Sequence, residues 1–252
     1  MSDHTDYKRV LAIETATPVQ ALALLDGENL REHRVQHVRY NHGSSLLQNV
    51  DQLLSARKIE LPDIDLFAVG LGPGSFTGLR VGLATAKALA RSVKKPIVGI
   101  SSLAALAYAA ARINPGATVL TAIDARRREI FGAAYRWTPE GLVSIIDDCA
   151  VDPAEFRERV EAELEGPIVL VGDGQSKYPA LRQWKHPNLT IVPPDLATPS
   201  AIGVARLSRR AAQADGPADL IALEPNYIRP SDAVLPDKPP GPMPPAPDQR
   251  DN

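Results

Sequence analysis

The sequence contains a single cysteine, Cys149, among 252 residues. One thiol cannot form an internal disulfide or a cysteine-based zinc site, and its scarcity is typical of proteins from reducing compartments. Long apolar runs are also missing, since no window has the about 18 apolar residues of a membrane span. The polar N-terminus lacks the basic and apolar regions of a secretory signal. We therefore expect a cytoplasmic protein without membrane contact.

An excess of either charge is likewise absent, with 28 Lys and Arg residues against 30 Asp and Glu residues and a formal net charge of -2. This balance gives no overall attraction to nucleic acid or to a membrane surface. Any anion contact must come from a local patch, and the one compact basic cluster in the sequence is the Arg-Arg-Arg run at residues 126–128. A solvated turn is the default interpretation. A contact to an anion or an RNA backbone is the alternative, because arginine binds phosphate bidentately.

The sequence does contain a strand, a glycine-rich turn and a helix in close succession. Gly72, Gly74 and Gly78 suggest an anion site there, since free N–H groups at a helix N-terminus attract phosphate. Their G-x-G-x-x-x-G spacing is one residue longer than the dinucleotide-binding pattern, and no P-loop Gly-Lys-Ser/Thr follows. Ser75 lacks the G-x-S-x-G frame of a nucleophile elbow. A structural turn in which Ser75 or Thr77 caps the helix is the equally open alternative.

Hydrophobic periodicity and turn signals predict strands alternating with helices along the whole chain. The predicted strands cover residues 9–15, 19–25, 30–38, 65–71, 96–100, 118–124, 129–137, 142–151, 167–171 and 189–192. Helices are predicted from a cap at Asn41 or Ser44 to residue 54, from the glycine turn to residue 92, and over 101–112, 153–164, 175–183 and 201–214.

This order divides the chain into an N-terminal lobe, 8–112, and a C-terminal lobe, 117–198, each beginning with three strands. The segment 199–214 is expected to pack back on the first lobe, and the proline-rich tail 230–252 is expected to be disordered. Two βββαβα-type lobes indicate an α/β protein of the actin-like ATPase fold (ASKHA, ribonuclease H-like), the fold of sugar kinases, Hsp70 and actin.

In the actin-like fold the first hairpin of each lobe carries a phosphate-binding loop. Glu14 and Thr15 occupy this position in the first lobe, and Asp124 and Arg126 occupy it in the second. These residues are the candidate contacts to a nucleotide or another anion. The second loop lacks the glycines that let backbone approach phosphate closely, which argues against a strong nucleotide site.

Several segments together resemble the TsaB family. They read Leu-Ala-Ile-Glu-Thr-Ala-Thr at 11–17, Asn-His at 41–42, Gly-Leu-Gly-Pro-Gly-Ser-Phe-Thr-Gly-Leu-Arg at 70–80 and Ala-Ile-Asp-Ala-Arg at 122–126. The resemblance covers about residues 9–229. It implies a non-catalytic partner of a TsaD-type enzyme, a relative once regarded as a glycoprotease. With a TsaE-type ATPase subunit, that pair transfers a threonylcarbamoyl group to the adenosine beside the anticodon of tRNAs that read codons beginning with A. The resemblance further implies that this chain contacts tRNA only indirectly, through the complex.

The resemblance also allows a test for a metal site. The catalytic relative binds metal through two histidines four residues apart on its first helix, whereas here His42 is followed at that spacing by Leu46, which offers no donor atom. We expect no catalytic residue, no metal ligand and no cofactor beyond a weak or interface-bound nucleotide. An ATP-dependent phosphotransferase of the same fold is the alternative function, and a metallopeptidase is a third.

The docking surface for the catalytic subunit is expected on two helices. Gly78, Gly82 and Ala86 recur at every fourth position, and each internal glycine costs about 1 kcal/mol relative to alanine, so a closely packed neighbour is expected. In the resembled family these helices meet their counterparts in the catalytic subunit, or a second copy when the partner is missing. The predicted interface residues are His42, Leu46, Val50, Phe76, Gly78, Leu79, Gly82 and Ala86. The alternative is that the stripe packs inside its own lobe.

Overall fold

The structure is a computed structural model that describes residues 7–38, 42–193 and 200–229. The predicted disordered tail at 230–252, the predicted cap at Asn41 and the beginning of the segment 199–214 lie outside the described residues. No helix in the described ranges is both long enough and apolar enough to cross a membrane.

The N-terminal lobe follows the predicted order of elements closely. Its elements are β1 (Arg9–Glu14), β2 (Val19–Asp26), β3 (Asn29–His37), α1 (His42–Ser55), a 3-10 turn (Leu61–Asp63), β4 (Leu66–Gly70), α2 (Phe76–Val93), β5 (Ile97–Ile100) and α3 (Ser102–Ile113). β4 is buried along its whole length, as its continuous apolar sequence predicts for a central strand with helices on both faces. β3 is mostly exposed and charged, which suits the edge of a sheet.

The C-terminal lobe begins with a second three-stranded meander. Its elements are β6 (Thr118–Arg126), β7 (Glu129–Thr138), β8 (Gly141–Val151), α4 (Pro153–Glu163), β9 (Ile168–Val171), α5 (Gly174–Lys177), α6 (Pro179–Arg182) and β10 (Leu189–Ile191), followed by α7 (Ala201–Ala214). The prediction of one helix over 175–183 is wrong, because the chain is extended at Tyr178, with φ -105° and ψ 123°. Pro179 disfavours helical backbone at the residue before it, so the helix divides there.

The two sheets share one topology. The strand order is β3-β2-β1-β4-β5 in the first and, written in the same direction, β8-β7-β6-β9-β10 in the second. In each sheet the first three strands are antiparallel and the last two are parallel to the first strand of the lobe. The predicted α/β actin-like ATPase fold with two βββαβα-type lobes is confirmed.

The helix that ends each lobe packs against the sheet of the other lobe. Leu103 and Leu106 of α3 belong to one apolar cluster with Val119 of β6. Val204 of α7 lies in a cluster with Val10 of β1. This exchange packs a helix that follows each lobe's sheet against the sheet of the other lobe.

Candidate functional site

The β1–β2 loop, which the fold would use for phosphate, is buried. Glu14, Thr15 and Ala16 are 0%, 1% and 2% exposed. The covering atoms come from the glycine-rich segment that follows β4 and from the beginning of α2. The candidate nucleotide contacts at Glu14 and Thr15 are therefore corrected, since the chain itself covers both residues.

Four glycines of the covering segment, each four residues from the next, make this close approach possible. A Cβ added at Gly74 or Gly78 would lie under 3.0 Å from a backbone carbonyl oxygen of the loop, that of Ala16 or Thr15. A Cβ added at Gly82 would meet the Thr15 hydroxyl at a similar separation. At Gly70 the added atom would collide with the Glu14 carboxylate. The glycines thus allow their segment to pack directly onto the loop.

Glu14 forms the buried polar link between the loop and α3. Its Oε1 accepts from the Ala16 amide at 2.7 Å, and its Oε2 accepts from the Ser102 hydroxyl at 2.8 Å. The Ser102 hydroxyl in turn accepts from the Gly72 amide at 3.1 Å. Burial raises the pKa of Glu14 above its ordinary value, although the donated hydrogen bonds oppose that rise. This carboxyl joins three chain segments and has no access to a ligand.

The glycine turn begins α2 and is fixed to the same loop. The Ser75 amide donates to the Ala16 carbonyl at 2.7 Å, and the Thr15 hydroxyl donates to the Gly78 carbonyl at 2.9 Å. The Ser75 hydroxyl caps the helix by accepting from the Gly78 amide at 3.3 Å. Of the two interpretations of this turn, the structure supports the capped structural turn, with Ser75 as the capping residue.

The second candidate loop, between β6 and β7, is arranged differently. Asp124 is partly buried at its base and accepts from Lys177 at 2.8 Å, from the Tyr178 hydroxyl at 2.6 Å and from the Arg126 amide at 2.9 Å. Partial burial alone would raise the pKa of Asp124, but these hydrogen bonds outweigh it and hold the pKa below its ordinary value. The carboxylate therefore fixes the base of the hairpin to the α5–α6 segment.

The tip of this hairpin consists of the three arginines. Their backbones have positive φ angles of 61°, 50° and 67° in chain order, and all three residues are exposed. Glycines would adopt this conformation without strain, whereas here three arginines adopt it. The two first hairpins therefore differ, because the first is covered by the chain and the second carries exposed arginines.

The predicted interface stripe is buried inside its own lobe. Leu46 and Ala86 are 0% exposed, Leu79 is 1% exposed and Val50 is 3% exposed. Gly78 and Gly82 contact the β1–β2 loop, as described above. These six positions are corrected from partner contacts to intramolecular contacts. The four side chains are buried within the lobe, and the closely packed neighbour that the two glycines require is the chain's own loop. The side chain of His42 lies outside the described part of the structure.

The outer faces of the same helices are exposed. Leu47 of α1 is 55% exposed, and Ala84 and Ala88 of α2 are exposed on the side opposite to the glycine stripe. Helical periodicity explains the correction: positions 84 and 88 follow the same four-residue repeat as 78, 82 and 86, but on the opposite side of the helix. The sequence located the helix and its stripe of small residues, and the structure shows which side is covered.

Phe76, the remaining predicted interface residue, is partly exposed and has an intramolecular partner. Its ring lies 5.3 Å from the ring of Tyr227, and the Arg80 guanidinium lies 3.7 Å above it. The Tyr227 hydroxyl also accepts from Arg80 Nε at 2.9 Å. The C-terminal segment 216–229 therefore covers this end of α2.

The segment 216–229 joins the two lobes, which the sequence analysis did not predict. The Asn226 amide donates to the Leu71 carbonyl in the first lobe at 2.7 Å. Arg229 reaches the second lobe, where it pairs with Glu129 at 2.7 Å and donates to the Ala125 carbonyl at 2.9 Å. The segment has no regular secondary structure and little periodicity, so only its Tyr and Asn-containing sequence just before the proline-rich tail could have drawn attention to it.

Metal-binding groups do not converge in the described structure. Among the residues it describes, no three His, Cys, Asp or Glu side chains lie close enough together to hold an ion.

Comparisons with known proteins match a family model named TsaD and several proteins named TsaB. The model of the family described as TsaD, tRNA N6-adenosine threonylcarbamoyltransferase, matches residues 36–192. The tRNA threonylcarbamoyladenosine biosynthesis protein TsaB of Escherichia coli is 37% identical over 174 residues, which cover 69% of this chain and 74% of that protein. The TsaB protein of Haemophilus influenzae is 30% identical over 234 residues, which cover 87% of this chain and 93% of that protein.

Two solved structures named for YeaZ match nearly all of their own length. YeaZ from Pseudomonas aeruginosa matches with a TM-score of 0.76 and 25% identity over 87% of this chain and 99% of that chain. A second Pseudomonas aeruginosa structure, of an uncharacterized protein with similarity to peptidase YEAZ, matches with a TM-score of 0.77 and 25% identity over 88% of this chain and 100% of that chain.

Proposed function

This chain belongs to the TsaB family of tRNA threonylcarbamoyladenosine biosynthesis proteins, and we propose that it is a non-catalytic scaffolding subunit of that pathway. It heterodimerises with a TsaD-type catalytic subunit and supports threonylcarbamoyl transfer to the adenosine next to the anticodon. The observation that carries the non-catalytic assignment is the sealed β1–β2 loop, in which Glu14 is 0% exposed and hydrogen-bonded within the chain. No specific observation favours the phosphotransferase alternative.

The proposed docking face is the exposed side of α1 and α2. Leu47, Ala84 and Ala88 lie there, and small side chains let a second pair of helices approach closely. The opposite side of α2 is already packed against the β1–β2 loop, so the sealed loop gives the docking face a rigid support. When the partner is absent, the same face is proposed to join two copies of this chain.

The other components follow from the same proposal. A TsaE-type ATPase subunit completes the assembly, and tRNA reaches it through the complex in the cytoplasm. We propose no resident cofactor in this chain, because the first loop is covered and the second carries arginines at its tip. A nucleotide, if one takes part, binds weakly or at the junction with the catalytic subunit.

The test is association with the cognate TsaD-type protein, followed by reconstitution of tRNA modification with and without this chain. Arginine at Ala84 and Ala88 (A84R/A88R) places two long charged side chains on the proposed face, and we expect a loss of heterodimer by size-exclusion chromatography and of modification. Ala109→Arg, an exposed alanine on α3, is the matched control and should associate normally. Normal association of A84R/A88R would refute the proposed face, and modification that is independent of this chain would refute the function.

A further inference from the structure

The arginine turn is a strained structure that the hairpin itself does not require. Arg126 lies opposite Glu129 in the strand register, so Arg127 and Arg128 form a two-residue loop. Their φ angles of 50° and 67° are those of a type I′ turn. Such turns favour Asn-Gly, because each non-glycine residue in left-handed backbone costs about 1 kcal/mol. Strain of this kind is found where side chains serve a function.

The acidic groups around the turn already have cationic or hydroxyl partners. Lys177 lies 2.8 Å from Asp124 and 2.8 Å from Asp173, and Arg229 lies 2.7 Å from Glu129. Arg126 and Arg128 consequently form no ion pair with any residue that the structure describes. The Arg126 and Arg128 guanidinium groups thus carry positive charge that no described carboxylate balances, on a chain whose overall charge is slightly negative.

Both strands below the turn are held by Arg229. It donates to the Ala125 carbonyl on one strand at 2.9 Å and to the Glu129 carboxylate on the other at 2.7 Å. The guanidinium groups therefore project from a fixed base. This reduces the entropy lost when they bind a ligand.

We propose that the turn at residues 126–128 contacts the phosphodiester backbone of tRNA directly. This inference rests on the proposed function, which brings tRNA to the assembly, and adds a contact made by this chain itself. The guanidinium forks match phosphate geometry, and adjacent arginines match the closely spaced charges of a nucleic-acid backbone. An acidic protein surface is the competing occupant, which the test distinguishes.

The first experiment uses the complex of the full chain with its TsaD-type partner and an in vitro transcript of a tRNA that reads a codon beginning with A. Arg126→Gln with Arg128→Gln removes two charges while preserving side-chain length. We expect binding to weaken about five- to twenty-fold, and the slope of log affinity against log salt to fall by about one for each arginine. Arg157→Gln with Arg159→Gln, on α4 of the same lobe, removes two charges that pair with glutamates and should change neither quantity.

A second variant separates binding from folding. Arg127→Asn with Arg128→Gly introduces the sequence that a type I′ turn favours, so we expect a higher melting temperature together with weaker tRNA binding. Greater stability with unchanged tRNA affinity would overturn the proposal, because the arginines would then be an incidental feature of the turn.

Two further results distinguish this inference from the proposed function. If modification requires this chain but tRNA affinity and salt slope are the same in the Arg126/Arg128 variant, the inference fails and the proposed function stands. If that variant loses the TsaD-type subunit while the remaining tRNA affinity per complex is unchanged, the turn binds an acidic protein surface and the inference is also overturned. Absence of any association by the unmodified chain would refute the proposed function itself.

Discussion

The first hairpins of the two lobes occupy equivalent places in sheets of the same topology, yet one is sealed and the other is open. Glu14 and Thr15 in the β1–β2 loop are at most 1% exposed, whereas the arginines at residues 126–128 in the β6–β7 turn are all exposed. The glycines lie outside both loops, in the segment that covers the first. A fold that can hold phosphate at both hairpins has thus buried one and placed cations on the other.

This difference shows that the position of a loop in a fold does not determine its role. In the first lobe, close packing of backbone on backbone supports the helices proposed as the docking face. In the second, fixed strands and a polar base present charge to solvent. The predictions below test whether the first loop is structural and the second is peripheral to stability.

The largest effect is expected from alanine at the glycines that cover the first loop. Gly78→Ala and Gly82→Ala should each lower the free energy of unfolding by about 3 kcal/mol, although alanine elsewhere in a helix would raise it by about 1 kcal/mol. The added Cβ of Gly78 meets the Thr15 backbone, whereas that of Gly82 meets the Thr15 hydroxyl.

Thr15→Ala distinguishes these two collisions. Combined with Gly82→Ala it should recover much of the lost stability, and combined with Gly78→Ala it should recover none, as measured by chemical denaturation of all single and double variants. Equal recovery in both double variants would contradict the geometry described for the loop.

A smaller effect is expected at Glu14. Glu14→Ala leaves the Ala16 amide and the Ser102 hydroxyl without their acceptor and should cost about 3 kcal/mol at most, whereas Glu14→Gln should stay within about 1 kcal/mol of the parent.

The pH dependence of the Glu14 variants provides an independent measurement. The pKa of Glu14 is raised by burial above its ordinary value of 4.5, so the folded state binds more protons than the unfolded state between these values. The stability that this group contributes is present below pH 4.5 and is lost as the pH rises through the folded pKa. The difference in unfolding free energy between the parent and Glu14→Gln should follow that curve. A constant difference from pH 4 to pH 8 would show that the carboxyl is not held in the buried environment described.

The smallest effect is expected at the second hairpin. Asp124→Ala removes the acceptor for Lys177, Tyr178 and the Arg126 amide at a partly exposed site and should cost about 1 to 2 kcal/mol. The lowered pKa of Asp124 means that its contribution is present at neutral pH and is lost as the pH falls through the folded pKa.

Hydrogen exchange locates the effect of Asp124→Ala. Amides of the β6–β7 hairpin should exchange faster while those of β1 and β4 stay protected. A loss as large as that of Gly78→Ala, or faster exchange in the first lobe, would remove the contrast between the two hairpins. Measurable ATP turnover by the isolated chain, lost in Asp124→Ala, would favour the phosphotransferase alternative.

The order of elements could be read from the sequence because apolar periodicity and turn residues are local signals. The predicted single helix over 175–183 is wrong at one residue, Tyr178, because Pro179 disfavours helical backbone at the residue before it. The C-terminal segment 216–229 could not be predicted, since these contacts reach residues 100 and 147 positions away and leave no periodic pattern.

The sequence by itself determined the two-lobed fold, the family resemblance and the need for a close neighbour beside Gly78 and Gly82. It could not determine which neighbour that is, because a repeat of small residues defines one side of a helix but not what lies against it. The tertiary structure decided this point by placing Thr15 within the space that the glycines leave free. It also decided that Glu14 is buried and that the arginine turn is exposed, because burial depends on which distant segments fold over each hairpin.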